Sequence, residues 1–159
     1  MSKVVFVDID GVLNNHSDHS GYFDFNPDTY GLSPRNLSEF DKLLSTVGVE
    51  VVISSDWRKH PIDYVYNHYR RETGETQGYR SPLPSLLKLF PEAIVCPHHF
   101  NADKILDISL YLEAHKEIEK FAVIDDDSRL CAFGQNFFKI NSEVGLQEED
   151  VRRIAEFFK

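Results

Sequence analysis

The chain has 159 residues, 42% of them hydrophobic and 27% charged, which is the composition of one ordinary globular domain with its own core. Its formal net charge of -9 argues against strong unassisted binding to long nucleic acids or anionic membranes, although a bound divalent cation would reverse the charge locally. The spacing of Cys96 and Cys131 predicts neither a metal site nor a disulfide framework, and a single disulfide between the two remains an alternative. With no signal peptide and no membrane-spanning run, we expect a cytoplasmic protein without a membrane partner.

The first predicted element is a strand over residues 4–7, where four apolar residues follow one another without polar alternation. Such a run is typical of a strand buried on both faces of a parallel sheet. Asp8 and Asp10 follow this strand. Because side chains alternate along an extended backbone, residues two apart point to the same side, so both carboxylates should face one small volume. Gly11 then permits a turn. Ligands bind beyond the carboxyl ends of strands in open α/β sheets, so these acids mark a candidate site. A simple Asp-rich turn is the alternative.

A long polar and aromatic segment over residues 14–31 comes next, and we expect it to form a flap over the end of the first strand. Ser33 then stands in an N-cap position and Gly48 in a terminating one, which predicts a helix over residues 34–47. A second apolar strand follows that helix. It ends in the Ser-Ser-Asp-Trp-Arg run of residues 54–58.

Residues 59–100 form an insertion between this run and the next clear element. Its patterning predicts a helix over residues 62–71 and a Gly-rich turn over 73–78. A short apolar helix should then extend through Phe90, and residues 93–96 should form a short strand. The insertion is too short for a large separate lid.

Helical periodicity returns over residues 102–115, with Lys104 in the first turn of the predicted helix. A third apolar strand over residues 121–124 ends in the Asp-Asp-Asp run of residues 125–127. A fourth strand over residues 137–140 leads to an amphipathic terminal helix. Strands that alternate with helices predict a parallel sheet with right-handed crossovers.

Polar groups thus end three buried strands: Asp-x-Asp, Ser-Ser-x-x-Arg and Asp-Asp-Asp, with Lys104 lying 21 residues before the first aspartate of the last group. Chance can supply any one of these groups. Polar tripeptides at the ends of all three strands are hard to explain as stability features, so together they indicate a functional site.

These segments resemble the four motifs of the haloacid dehalogenase-like (HAD) superfamily of Mg²⁺-dependent phosphohydrolases. The matching residues are Asp8-Ile9-Asp10-Gly11, Ser54, Lys104 and Asp125-Asp126. The runs at residues 10–14, 54–58 and 124–127 and the pair Gly145-Leu146 resemble, more narrowly, the small HAD domains of "Swiss army knife" RNA repair proteins. The resemblance implies an α/β fold, Rossmann-like, with a three-layer α/β/α arrangement around a central parallel sheet. It also implies a minimal cap or none, in a single domain over residues 1–159.

The resemblance further implies the chemistry of the site. Asp8 would be the nucleophile that forms an aspartyl-phosphate, and Asp10 the general acid and base. Mg²⁺ would be held by the Asp8 side chain, the Asp10 carbonyl and an acid of the third strand. Asp126 is favoured as that acid, with Asp125 beside it. Asp127 is interpreted as a solvated turn residue or helix cap.

Phosphate binding is implied for residues of the second strand and of the helix that follows the insertion. The Ser54 hydroxyl and the Ser55 amide would donate to the phosphoryl oxygens, and Lys104 would neutralise the charge shared between Asp8 and phosphate. A solvated helix position is the alternative for Lys104. Arg58 would either grip phosphate or pair with an acid such as Asp56.

The predicted function is a Mg²⁺-dependent phosphomonoesterase whose substrate is a phosphate on a nucleic-acid end or a nucleotide. The net charge would confine contact with a polymer to its terminus. The alternatives are a phosphatase of small metabolites or phosphoproteins, a phosphotransferase, and a non-catalytic module that binds phosphate or metal. Trp57 and Tyr64 are among several aromatic residues that suit either stacking on a base or core packing.

Overall fold

The computed structural model describes residues 2–17, 31–61, 64–69 and 76–159. The strands are β1 Ser2–Val7, β2 Glu50–Ile53, β3 Val65–Tyr69, β4 Thr76–Arg80, β5 Ile94–Val95, β6 Ile118–Asp125 and β7 Phe137–Lys139. The helices are α1 Pro34–Val47, α2 Leu83–Leu89, α3 Lys104–Ala114 and α4 Glu148–Phe158. Two 3₁₀ segments cover Asp56–Lys59 and Ser128–Asn136.

Five of the strands form one sheet in the order β5-β2-β1-β6-β7, and every pair in it is parallel. The strand that begins the chain therefore lies at the centre, as its unbroken apolar run predicted. Parallel neighbours place their carboxyl ends at one edge of the sheet. The Rossmann-like α/β fold is confirmed.

The two faces of the sheet are covered by separate hydrophobic clusters. Val5 and Val7 of β1 pack in the cluster that contains the apolar faces of α1, α2 and α4. Val4 and Phe6 pack in the other, with residues of α3 and of the 3₁₀ segment Ser128–Asn136. Successive side chains of a strand point to opposite faces, so a central strand covered on both sides needs apolar residues at every position.

Helix α1 has the bounds that its capping residues predicted. The Ser33 hydroxyl accepts a hydrogen bond from the Asn36 amide at the start, and Pro34 occupies the first turn. Gly48 ends the helix with φ 64° and donates its N–H to the carbonyl of Leu44. This left-handed conformation is one that glycine adopts readily, and it stops the helix there.

The insertion is where the sequence prediction was wrong. In place of a helix over residues 62–71, Val65–Tyr69 forms β3, which pairs antiparallel with β4 in a hairpin. The predicted turn over residues 73–78 extends into β4, and residues 70–75 lie outside the described part. Aromatic and β-branched residues suit a strand, and the partner strand supplies the hydrogen bonds that local periodicity does not reveal. The predicted short helix and the short strand after it are confirmed as α2 and β5.

Most of the predicted flap lies outside the described residues, which stop at Ser17 and resume at Gly31. The described start of that segment is held by backbone hydrogen bonds from His16 and Ser17 to the carbonyls of Ser142 and Glu143. Both cysteines are free thiols. No helix in the described ranges is long and apolar enough to cross a bilayer.

Candidate active site

Three adjacent strands end side by side at one edge of the sheet. Val7 of β1 is in register with Ile53 of β2 and Ile124 of β6, so the residues that follow them lie in a row: Ser54, Asp8 and Asp125. Backbone hydrogen bonds continue the pairing, from the Ser54 amide to the Val7 carbonyl at 2.9 Å and from the Asp8 amide to the Ile124 carbonyl at 3.0 Å. The parallel sheet itself therefore brings the three predicted strand-end groups together.

Lys104 joins two of these groups from the first turn of α3. Its Nζ donates to Asp8 Oδ2 at 3.0 Å and to Asp125 Oδ2 at 2.6 Å. Burial opposes the charged amine, but the two carboxylates outweigh it and raise the pKa of Lys104 well above its usual value. Asp103 caps α3 by accepting the Leu106 amide, which fixes the start of the helix and so the place of Lys104. A freely solvated lysine is not what the structure shows.

Asp8, Asp125 and Asp126 form an acidic cluster, with one oxygen from each carboxylate lying within 4.8 Å of the others. Burial and the charge of Asp8 raise the pKa of Asp125, and the same causes raise the pKa of Asp126. Both shifts arise because the carboxylates lie close together and the positive charge of Lys104 does not fully offset their mutual repulsion. Several carboxylate oxygens at one point are the donor set that Mg²⁺ prefers, so these residues fit that ion.

Gly11 leaves the space that Asp126 occupies. Its φ is +78°, and a Cβ built on it would lie 2.5 Å from Asp126 Oδ2 and 3.0 Å from Cβ of Ser142. Any larger residue would therefore displace Asp126 from the acidic cluster, besides straining the backbone. The turn after β1 needs glycine for both reasons.

Asp10 lies beside the cluster, and two side chains orient its carboxylate. Asn14 Nδ2 donates to Asp10 Oδ1 at 2.9 Å, and Trp57 Nε1 donates to Asp10 Oδ2 at 2.9 Å. Asn14 is itself fixed, since it accepts the Gly11 amide and donates to the carbonyl of Gly31. Desolvation and the charge of Asp8 raise the pKa of Asp10, against the two hydrogen bonds, which lower it.

The Ser54 hydroxyl is buried and has no hydrogen-bond partner among the residues that the structure describes. A buried polar group without a partner is costly, and its presence in a folded protein requires an explanation such as a ligand. Ser55 has a local role as well, because its hydroxyl accepts the Trp57 amide at the start of the 3₁₀ segment Asp56–Lys59.

The side chain of Arg58 is fully buried. Of the two roles that the sequence left open, the structure shows ion pairing: with Asp56 at 3.4 Å and, more closely, with Asp107 at 2.5 Å. The guanidinium also donates to the carbonyls of Ser54 and Ser55 at 2.8 and 3.0 Å. Arg58 thus braces the backbone of the second strand end and has no exposed surface with which to bind phosphate.

Asp107 was missed by the sequence analysis. It is fully buried in α3 and accepts hydrogen bonds from Arg58, from His98 Nδ1, and from both the amide and Nδ1 of His99. Burial opposes its ionisation, but these donors dominate and lower the pKa of Asp107. The local sequence held one indication that Asp107 is buried: this carboxylate stands next to Ile108, on the apolar side of the predicted helix. Asn14 and Trp57 were noted in the sequence, but their contacts with Asp10 were not predicted.

Asp127 stands apart from the acidic cluster, as predicted. Its carboxylate accepts the Arg129 amide at the start of the 3₁₀ segment Ser128–Asn136, and it also pairs with the Arg129 guanidinium. Its own amide donates to Asp125 Oδ1 at 2.9 Å. The residue is therefore a capping group that also helps to fix Asp125.

Comparison with protein families agrees with the geometry. The model of the family described as the HAD domain in Swiss Army Knife RNA repair proteins matches residues 4–151, which include every element of the candidate active site. A comparison with curated proteins returned no match. The family match covers nearly the whole chain and confirms the resemblance seen in its short motifs. The chain therefore belongs to the family of HAD domains found in Swiss Army Knife RNA repair proteins.

Proposed function

We propose that this protein is a Mg²⁺-dependent phosphomonoesterase that acts through an aspartyl-phosphate on Asp8. Membership of a HAD family supports phosphohydrolase chemistry as a class. The observation that carries the proposal for this chain is the row at the sheet edge, where the buried Ser54 hydroxyl lies beside Asp8 and its Lys104 partner and has no hydrogen-bond partner in the described part of the chain. A phosphoryl group at that point would give the Ser54 hydroxyl such a partner.

In the first half of the reaction, one carboxylate oxygen of Asp8 attacks phosphorus and forms a new P–O bond. The bond from phosphorus to the ester oxygen breaks, and its electron pair leaves with that oxygen. Asp10 gives the leaving oxygen a proton, a role suited to a carboxyl group whose pKa is raised by desolvation. The hydrogen bonds from Asn14 and Trp57 hold Asp10 in position for this transfer.

In the second half, water attacks phosphorus and Asp10, now ionised, takes its proton. The bond between phosphorus and the Asp8 oxygen breaks, which restores Asp8 and releases inorganic phosphate. The Ser54 hydroxyl, the Ser55 amide and Lys104 donate to the phosphoryl oxygens in both halves, where negative charge concentrates. Arg58 acts indirectly, because its hydrogen bond to the Ser54 carbonyl fixes the peptide plane between Ser54 and Ser55 and so the direction of the Ser55 N–H.

Mg²⁺ would be held by the side chains of Asp8 and Asp126 and by the Asp10 carbonyl. Asp125 is the weaker candidate, since Lys104 lies closer to its Oδ2, at 2.6 Å, than to Oδ2 of Asp8, at 3.0 Å. Asp125 would instead hold Lys104 in place by accepting its hydrogen bond, and it would share the positive charge of Lys104 with Asp8. When bound, the ion supplies positive charge that neutralises the phosphoryl oxygens and the crowded carboxylates.

The proposed substrate is a phosphate on a nucleic-acid end or on a nucleotide. The RNA repair context in the family description supports this choice. The net charge of -9 would repel the body of a polymer, so binding should depend on the terminal nucleotide and on the metal.

The test compares wild type with Asp8→Asn in hydrolysis of p-nitrophenyl phosphate with Mg²⁺. We expect a loss of at least about 10³-fold in kcat, because the amide is a poor nucleophile. Asp127→Asn is the matched control, since it makes the same change outside the acidic cluster and should keep kcat within about twofold.

A substrate panel then separates the candidate substrates. It contains oligonucleotides with 3′- or 5′-terminal phosphates, mononucleotides, sugar phosphates and phosphopeptides. Preference for the first two classes supports the proposed substrate. A wild-type protein that binds Mg²⁺ but hydrolyses nothing in the panel would instead be a non-catalytic module.

A further inference from the structure

An open cleft of about 260 Å³ lies directly beside Asp10. Its described lining is Asp10, Asp56, Trp57, His60 and Tyr64. Three of these five residues carry aromatic rings. The volume is below the roughly 300–1,000 Å³ of pockets that enclose a whole drug-sized ligand, so the cleft suits one ring system.

The three rings form a corner with two walls. His60 and Tyr64 are stacked, with centroids 4.2 Å apart and planes 15° from parallel. Trp57 is set at 68° to His60 and 60° to Tyr64, with centroids 6.1 and 6.4 Å away. A flat ring that enters this corner can stack on one wall and present its edge to the other, which are the two preferred aromatic geometries.

The corner is joined to the reaction centre through one hydrogen bond. Trp57 Nε1 donates to Asp10 Oδ2 at 2.9 Å, so the carboxylate that is proposed to protonate the leaving oxygen also borders the cleft. The leaving group begins at that oxygen. The group that carries the phosphate can therefore extend from Asp10 into the open space bounded by Trp57, His60 and Tyr64.

We propose that this cleft binds the nucleobase of the nucleotide that carries the scissile phosphate. The inference rests on the proposed function, since it assigns the leaving group of that reaction. The lining favours a base over another anionic group: among the described residues it includes neither lysine nor arginine, so a second phosphate would meet no cation there. An uncharged planar base needs no cation and gains stacking on the aromatic walls.

The kinetic test uses two oligonucleotides that differ only in whether the phosphorylated terminal nucleotide carries a base or is abasic. Base stacking predicts a kcat/KM ratio of about 5 to 150 in favour of the base. Tyr64→Ala should bring that ratio close to 1, whereas Tyr64→Phe keeps the ring and should preserve it. Leu89→Ala is the control, since it trims an exposed side chain beside Glu50 and Ile94, at the opposite edge of the sheet, and should leave the ratio unchanged.

A binding test does not depend on turnover. Trp57 is the single tryptophan of the chain, so its fluorescence reports on the cleft directly. In the full-length Asp8→Asn variant with Mg²⁺, a nucleoside 5′-monophosphate should quench this fluorescence and ribose 5-phosphate should not.

The two proposals fail in different ways. Equal hydrolysis of the base-bearing and abasic ends, with Asp8→Asn inactive on both, would leave the phosphatase in place and overturn the cleft assignment. Equal quenching by the nucleotide and the sugar phosphate, or quenching by neither, would overturn it as well. Absence of hydrolysis of every ester would count against the phosphatase, and selective quenching by the nucleotide would still support the cleft.

Discussion

The buried carboxylate of Asp107 offers the sharpest test of how the site is supported. Asp107→Asn keeps the shape of the side chain but removes the charge that faces Arg58. It also replaces one acceptor oxygen by a donor, in a position where the guanidinium and the His98 and His99 groups all donate. The variant therefore leaves the buried Arg58 cation without its closer counter-ion, with Asp56 at 3.4 Å remaining, and leaves at least one donor facing another donor.

The expected loss in the free energy of unfolding is about 3–5 kcal/mol, the usual effect of removing one partner of a buried ion pair. This is a large part of the roughly 5–15 kcal/mol that stabilises a typical domain. Because Arg58 also donates to the carbonyls of Ser54 and Ser55, the variant should lose phosphate binding too, seen as a raised KM.

Urea denaturation followed by circular dichroism measures the loss. Asp103→Asn is the matched control in the same helix, because asparagine caps about as well as aspartate and should change stability by less than about 0.5 kcal/mol. The double variant Arg58→Met/Asp107→Leu removes both charges together and should recover most of the loss. A loss below about 1 kcal/mol in Asp107→Asn would refute the reasoning.

Comparison of wild type with Asp107→Asn also gives a prediction for the pH dependence of stability. The pKa of Asp107 is lowered on folding, so its contribution is complete above the unfolded value of about 3.9 and is lost as pH falls towards the folded value. The groups that face it are Arg58, His98, His99 and the Cys96 thiol, whose pKa burial raises to about 11, so it stays neutral. The stability difference between wild type and variant should therefore shrink below about pH 4. A difference that grows as the pH falls below about 4 would contradict the ion-pair account.

Three further outcomes are expected. Gly11→Ala should lower the free energy of unfolding more than Gly48→Ala does, because both glycines have positive φ but only at Gly11 would a Cβ meet Asp126. The backbone strain that the two variants share is about 1–2 kcal/mol. Equal losses in urea denaturation would show that the space beside Asp126 does not affect stability. Ser33→Ala should cost about 1 kcal/mol by removing the acceptor for the Asn36 amide, and an unchanged urea midpoint would exclude a capping role. Mg²⁺ at 100 times its Kd should stabilise the fold by about 2.7 kcal/mol, seen as a raised Tm that EDTA reverses and Asp126→Asn reduces; no shift in wild type would count against the acidic cluster as a metal site.

Much of the fold could be predicted because its signals are local. Four apolar residues before Asp8 were enough to identify the central strand, and Ser33 and Gly48 were enough to bound α1, since capping groups act within a few residues. The hairpin of β3 and β4 could not be predicted in this way. Its strands are stabilised by each other, and the partner of Val65 is Arg80, which lies 15 residues away and outside the few residues over which a capping group acts.

The candidate site divides along the same line. The sequence by itself determined which polar groups follow the buried strands, and parallel pairing then had to bring Asp8, Ser54 and Asp125 to one edge. Only the tertiary structure decided that Arg58 pairs most closely with Asp107, 49 residues away, and that Trp57 donates to Asp10 across 47 residues. The apolar pattern of a strand can be recognised from neighbouring residues. The partner of a buried charge depends instead on how separate helices and strands pack, and no short segment of sequence determines that packing.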